Sequence, residues 1–184
     1  DIQDIFDIDR FSASSAMYDL EKFKWVNGQH IKKMSNDKLI ALVEELPGTE
    51  FFKAQSVEWK NAALDRYKQD VQFTTDIPKL INEQILSTQI EMTDALKEIL
   101  GWETTPKIID YISSQVENYQ APFISEADLN NWMDHVKKEL GVKGKPLFQG
   151  VRATLTGHDH GPDLKVLIPL TPVNVIRERI KGLK

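Results

Sequence analysis

One arginine, two histidines and a run of lysines and glycines lie close together near the C-terminal end of the chain, in GKPLFQGVRATLTGHDHGPDLK, residues 144–165. Arg152 is set among apolar residues. A guanidinium offers fixed charge, a fork of donors and a flat face for stacking, which suits phosphates, carboxylates and planar heterocycles. Gly161-Pro162 makes a turn where another backbone or a flat ligand can approach closely with little strain. Lys143 and Lys145 stand just upstream, and each can meet about one phosphate. His158 and His160, with Asp159 and Asp163 nearby, are residue types that bind zinc. Their spacing is poor for one helix face and no third strong ligand accompanies them, so a polar exposed loop is the simpler reading.

Elsewhere the chain offers little chemistry of its own. It has no cysteine, which removes disulfides and thiolate catalysis and fits a reducing compartment. Glu44-Glu45 lies beside an apolar stripe and reads as a solvated helix face. No Ser/His/Asp arrangement follows from spacing. KKMSNDK, residues 32–38, resembles the Lys-Met-Ser-Lys-Ser loop of class I aminoacyl-tRNA synthetases, in which lysines stabilise phosphates, but Asn36 and Asp37 occupy the places of Lys and Ser. There is no Gly-rich phosphate cradle and no His-x-Gly-His element, so the segment reads as a helix junction with Ser35 as cap. No catalytic residue and no metal site is expected.

The chain has 184 residues and a formal net charge of −5. The charge is uneven. Residues 1–140 hold 15 Lys/Arg against 25 Asp/Glu, whereas residues 141–184 hold eight, namely Lys143, Lys145, Arg152, Lys165, Arg177, Arg179, Lys181 and Lys184, against three acids. Polyanion binding follows the local patch rather than the net charge. The plainer reading is that Arg177, Arg179 and Lys181 favour the end of a C-terminal helix. No apolar run approaches the roughly 18 residues that span a bilayer, and no signal peptide is visible. The first residue is Asp1 rather than Met, as expected of a fragment or a processed chain.

Almost every segment has helical periodicity. Leu39, Leu42, Val43 and Leu46 recur at helical spacing after Ser35 or Asn36, and Pro47-Gly48 stops them. Val57, Leu64 and Tyr67 mark a second helix. MTDALKEIL ends at Gly101, and Thr105 is expected to cap the next helix, with Pro106 at its first turn. Ser125 and Asp128 form a variant capping box ahead of the stripe Leu129, Trp132, Met133, Val136 and Leu140. LFQGVRATLTG has β-branched residues, but no second strong strand exists to pair with it and Gly157 closes it, so it is expected as a helix with Leu147, Phe148, Val151 and Leu155 toward the core. PVNVIRERIKG is the last helix, with Pro172 near its start and Gly182 past its end. The fold class is all-α, and Pro122 in QAPFIS suggests a boundary between two packed subdomains.

Two stretches carry a specific resemblance. FSASSAMYDLEKFKWVNGQHIKK, residues 11–33, resembles a segment of bacterial-type glutamyl-tRNA synthetases through Ser12, Ser14, Ala16, Tyr18, Asp19, Lys22, Phe23, Trp25, Asn27 and Ile31, with His30 in place of the usual Tyr. GVKGKPLFQGVRATLTGHDHGPDL, residues 141–164, is similar to the family's Gly-x-Lys-Gly-Lys-x-Leu-Phe-x-x-Leu-Arg-x-x-Leu-Thr-Gly-x-x-x-Gly-Pro-x-Leu pattern, with Val151 at the Leu position. The resemblance implies a helical anticodon-binding cage of two packed subdomains, with residues 1–35 as the end of the stem-contact region, 36–121 as the first subdomain and 122–184 as the second. It places the catalytic domain upstream and outside these residues.

By that resemblance, Arg152 contacts an anticodon base or phosphate, and Gly161, Pro162, Asp163 and Leu164 pack against the first anticodon base. Lys143 and Lys145 would meet phosphates, and Lys22 and Asn27 belong to the stem-contact segment. A loop base displaced from its stack presents an edge and a flat face to such a site. The implied partner is the glutamate tRNA, the implied state a cytoplasmic monomer with no membrane association, and the implied activity glutamate–tRNA ligation with ATP and Mg2+ in the full-length enzyme, with no cofactor on these residues. An α-helical protein-interaction module without RNA binding is the alternative, and the basic 141–184 segment argues against it. The family also places an arginine in the middle helical region that reads the third anticodon base. Here Arg66 and Lys68 lie nearby while Asp70 and Gln72 stand nearer that place, which leaves open whether the glutamine tRNA is rejected.

Overall fold

A computed structural model describes Met17 and residues 19–184. Ser12, Ser14, Ala16 and Tyr18 of the first family-like stretch lie outside the described residues. Along the chain run α1 (Leu20–Lys33), α2 (Asn36–Glu44), α3 (Glu50–Lys53), α4 (Val57–Tyr67), α5 (Asp76–Leu80), α6 (Asp94–Leu100), α7 (Thr105–Glu117), α8 (Glu126–Lys138), α9 (Lys145–Thr156), α10 (Leu164–Leu167) and α11 (Val173–Leu183). A π turn, Ile81–Leu86, continues α5, and a 3-10 turn, Ile168–Leu170, continues α10. Among the described residues the only extended pairing is one antiparallel bridge between Phe123 and Pro172. The all-α expectation holds.

Several helices begin where a side chain satisfies an otherwise unpaired first N–H group. Asp19, Ser56, Thr93 and Ser125 accept from the N–H of Lys22, Trp59, Leu96 and Asp128. The box at Ser125 is closed through a third residue. The Ser125 N–H donates to the Tyr119 hydroxyl, which donates to Asp128 Oδ2 at 2.6 Å, as does Ser125 Oγ. These hydroxyls hold the Asp128 carboxyl below the usual carboxylate range. Helix α7 starts one residue earlier than expected: Thr104 is its cap, and the buried Thr105 hydroxyl donates to the Ile99 carbonyl at 2.6 Å.

Two large apolar clusters and a small third, of Leu96, Ile99 and Ala153, form the interior. One gathers Ile31, Leu39, Val43, Phe52, Trp59, Leu64 and Tyr67 from α1–α4 with Ile77, Ile81 and Ile85. The other joins Ile108, Ile112 and Val116 of α7 to Leu129, Trp132 and Val136 of α8, Leu147, Val151 and Leu155 of α9, and Ile176 and Ile180 of α11. Leu167 and Leu170 belong to the first cluster although they come late in the chain. The Trp59 indole N–H donates to the Leu170 carbonyl at 3.1 Å, pinning this late segment of the chain to the first cluster. Three expected positions differ. Val57 is exposed on the first turn of α4, Gly182 lies inside α11 rather than beyond it, and Phe148 is 57% exposed. Phe148 follows the buried Leu147 by one residue, and the helical rotation of about 100° carries it off the core stripe.

The C-terminal arginines are absorbed by the fold. Arg177 on α11 donates to the carbonyls of Val116, Glu117 and Tyr119 at the end of α7. Arg179, 1% exposed, donates through Nε to the Ser87 carbonyl at 2.9 Å and through Nη2 to those of Gln84 and Ile85. Each therefore supplies donors to unpaired carbonyls at the end of a helix 58 to 95 residues earlier in the sequence. Burial lowers Arg179 to about 10, still charged at neutral pH, and raises its neighbour Tyr67 to about 12.

Candidate nucleic-acid interface

Helix α9 starts after Gly144, whose φ of 61° few other residues adopt, and ends at Gly157 in the left-handed conformation. Between them Leu147, Val151 and Leu155 face the core, so Arg152 is turned toward the segment that follows. That segment folds back over it. The Arg152 Nη1 group donates to the Pro162 carbonyl at 2.8 Å. Gly161 has φ 143°, and a Cβ there would lie 3.4 Å from the same guanidinium nitrogen. Asp163 then caps α10 by accepting from the Lys165 N–H at 3.0 Å.

These residues wall a cleft of about 270 Å³ lined by Arg152, Thr156, His158, His160, Gly161, Pro162 and Leu167 together with Glu83 and Gln84. Gln84 lies in the π turn, where the Ser87 N–H reaches back five residues to the Asn82 carbonyl and Arg179 ties the carbonyls that follow. A π turn widens the helix and is often found at functional positions. The Gln84 carboxamide oxygen is buried without a protein partner. Burial, with Asp163 opposing it, lowers the half-buried Arg152 from its ordinary value. Burial first, then the charges of Arg179 and His160, also lower His158, against Asp159 and Glu91.

The cleft gathers Arg152, Gly161 and Pro162 as expected. Asp163 and Leu164 follow directly, but the Leu164 side chain is 5% exposed and packs in the core cluster, and Asp163 is an exposed helix cap. Lys143 is exposed on the next surface along α9, and the Lys145 ammonium lies 5.9 Å from the centroid of the Trp102 ring. Lys22 is exposed on the first turn of α1. The Asn27 side chain donates to the Gln72 carbonyl and joins α1 to the loop after α4. Neither lines the Arg152 cleft. Arg66 pairs with Asp70, and Lys68 pairs with Asp65, so the cations near the expected third-base reader are engaged locally. His160 Nδ1 lies 3.2 Å from Asp159 Oδ1, and no three His, Asp or Glu side chains among the described residues converge on a metal-sized site. Sequence reasoning missed Gln84 and Glu83 because nothing local relates the π turn to α9 across about 70 residues of chain.

An interface of this kind, with one half-buried arginine, a Gly-Pro turn and an amide in a shallow cleft, suits a planar group carrying donors and acceptors on its edge. A profile of the family described as "Anticodon binding domain" matches residues 38–183. The chain belongs to the anticodon binding domain family. It is similar to the glutamate–tRNA ligase of Bacillus pumilus, with 31% identity over 98% of this chain and 38% of that protein. The corresponding protein of Bacillus subtilis is 30% identical over the same shares, and that of Bdellovibrio bacteriovorus 29% over 92% and 35%. The chain thus spans less than two-fifths of the length of these relatives. Family membership agrees with the all-α architecture. Among the described residues no helix is long and apolar enough to cross a membrane.

Proposed function

We propose that this chain is the anticodon-recognition region of a glutamate–tRNA ligase and that the Arg152 cleft receives a base of the anticodon loop. The observation that carries this is the fold-back of Gly161-Pro162 onto Arg152 in a chain of this family. Within the cleft Arg152 gives charge and a stacking face, and Gly161 and Pro162 leave room for a flat ring. Gln84 supplies the amide opposite. Lys143 and Lys145 meet phosphates, Asp163 and Leu164 shape the turn, and Lys22 and Asn27 lie on the side of the stem-contact segment. In the longer protein the activity is attachment of glutamate to its tRNA in the cytoplasm by a monomer, using ATP and Mg2+. These 184 residues contribute tRNA recognition.

Arg152→Ala tests the reading. The arginine also braces the turn, so the substitution lowers stability by about 1 kcal/mol. If it meets RNA, tRNA affinity falls by a further ~1–3 kcal/mol in protein that is fully folded. A folded Arg152→Ala protein that binds the glutamate tRNA as tightly as wild type removes Arg152 from the interface. A protein-interaction module without RNA binding would follow if wild-type chain bound no tRNA at low salt.

A further inference from the structure

A second surface adjoins the Arg152 cleft. Phe148 precedes Arg152 by four residues on α9, and residues four apart are neighbours on one helix face. Its ring is 57% exposed and borders a broad depression of about 470 Å³. Lys137, Lys143 and Lys165 line the same depression, as do Asn130, Asn131 and Asp134. The one acid is partly neutralised, because Lys138 lies 3.0 Å from Asp134. Lys165 lies 3.8 Å from Glu126, and both are exposed. Lys137 and Lys143 have no ion pair among the described residues. The fold thus withdraws Arg177 and Arg179 from the basic C-terminal quarter and leaves Lys143 and Lys165 of that quarter, with Lys137 of α8, around this aromatic ring. Gly161-Pro162 borders the first depression and Lys165 the second, so one short segment separates them.

We propose that Phe148 is a stacking platform for an unpaired RNA base next to the one held in the Arg152 cleft, with Lys137, Lys143 and Lys165 on the flanking phosphates. This rests on the cleft being an RNA site. The chemistry is that of single-strand binders, where an aromatic ring takes any base face and surrounding cations hold the backbone. An exposed phenylalanine offers nothing to an acidic or purely polar partner, and the lysines complement a polyanion. The RNA track then runs along α9 from Pro162 toward Gly144, reading one base by its edge and the next by its face.

The test uses the full 184-residue chain and a short stem–loop RNA of the anticodon-arm type, with 2-aminopurine placed at each loop position in turn. Wild-type protein should quench the probe at one position as the base stacks. Phe148→Ala and Phe148→Leu should bind about fivefold to a hundredfold more weakly and lose that quench, with melting temperatures close to wild type. Phe148→Tyr should keep both affinity and quench. Arg152→Ala should weaken binding yet retain the quench at saturating protein. If Phe148→Ala and Phe148→Leu bind as tightly as wild type while Arg152→Ala is weakened, the platform is overturned and the cleft stands. If wild-type chain binds no stem–loop at low salt, both fall.

Discussion

His158 ties the chemistry of the cleft to the stability of the fold. It lines the cleft half-buried, and burial, Arg179 and His160 lower its affinity for a proton, outweighing Asp159 and Glu91. The unfolded chain therefore takes up a proton more readily than the folded one. The stability this group contributes is present above an unfolded value of 6.5 and is lost as pH falls through it toward the lower folded value. Urea midpoints should fall between about pH 7.5 and about pH 5.5, and His158→Gln should flatten that dependence. An unchanged slope in the variant would assign the effect to other groups. Gly157 makes a second case. A Cβ there would lie 2.8 Å from Ile90 Cγ1 at a φ of 72°, so Gly157→Ala should cost about 1–3 kcal/mol in thermal or urea unfolding. The type of Arg152, and the turn facing it, could be read from the sequence because both lie in one short stretch. The exposure of Phe148 could not, because its place in an apolar run looked like part of the buried stripe.

At the scale of elements, helices were legible where periodicity and caps agree, as in α8 with Ser125 at its start and Leu129, Trp132 and Val136 on its inner face. What joins them was not. Arg177 and Arg179 read as favourable charges at the end of α11, yet they supply donors to the last carbonyls of α7 and the π turn. Such pairings cross 58 to 95 residues and leave no local pattern. The two arginines differ in burial, so they should differ in consequence. Arg179→Met leaves the Gln84 and Ser87 carbonyls without their donor in a dry site and should cost about 3 kcal/mol. Arg177 is partly exposed, and Arg177→Ala should cost about 1 kcal/mol because water can replace it. Equal losses in chemical unfolding would contradict this ranking. Loosening the π turn should also displace Gln84, so Arg179→Met should weaken RNA binding at temperatures where it remains folded.

For the whole molecule, net charge and working surface diverge. The protein carries −5, yet Lys137 of α8, Lys143 just before α9, Arg152 of α9 and Lys165 of α10 line two adjoining depressions. Three lysine contacts to the phosphates of a single-stranded loop give a log–log dependence of affinity on salt with a slope on the order of −2. A slope near zero would mean that phosphates are not met. These residues have no nucleotide-binding glycine motif, so the chain by itself should support no glutamate-dependent ATP–pyrophosphate exchange. Measurable exchange would contradict the division of labour proposed. The central claim is that the α9 surface recognises the anticodon arm. The most direct measurement is equilibrium binding of the 184-residue chain, at about 50 mM salt, to the anticodon stem–loop and to the acceptor-stem hairpin of the glutamate tRNA. The account predicts a clear preference for the anticodon arm, largely lost in Arg152→Ala. Equal affinity for the two hairpins, or a preference that survives Arg152→Ala unchanged, would contradict it.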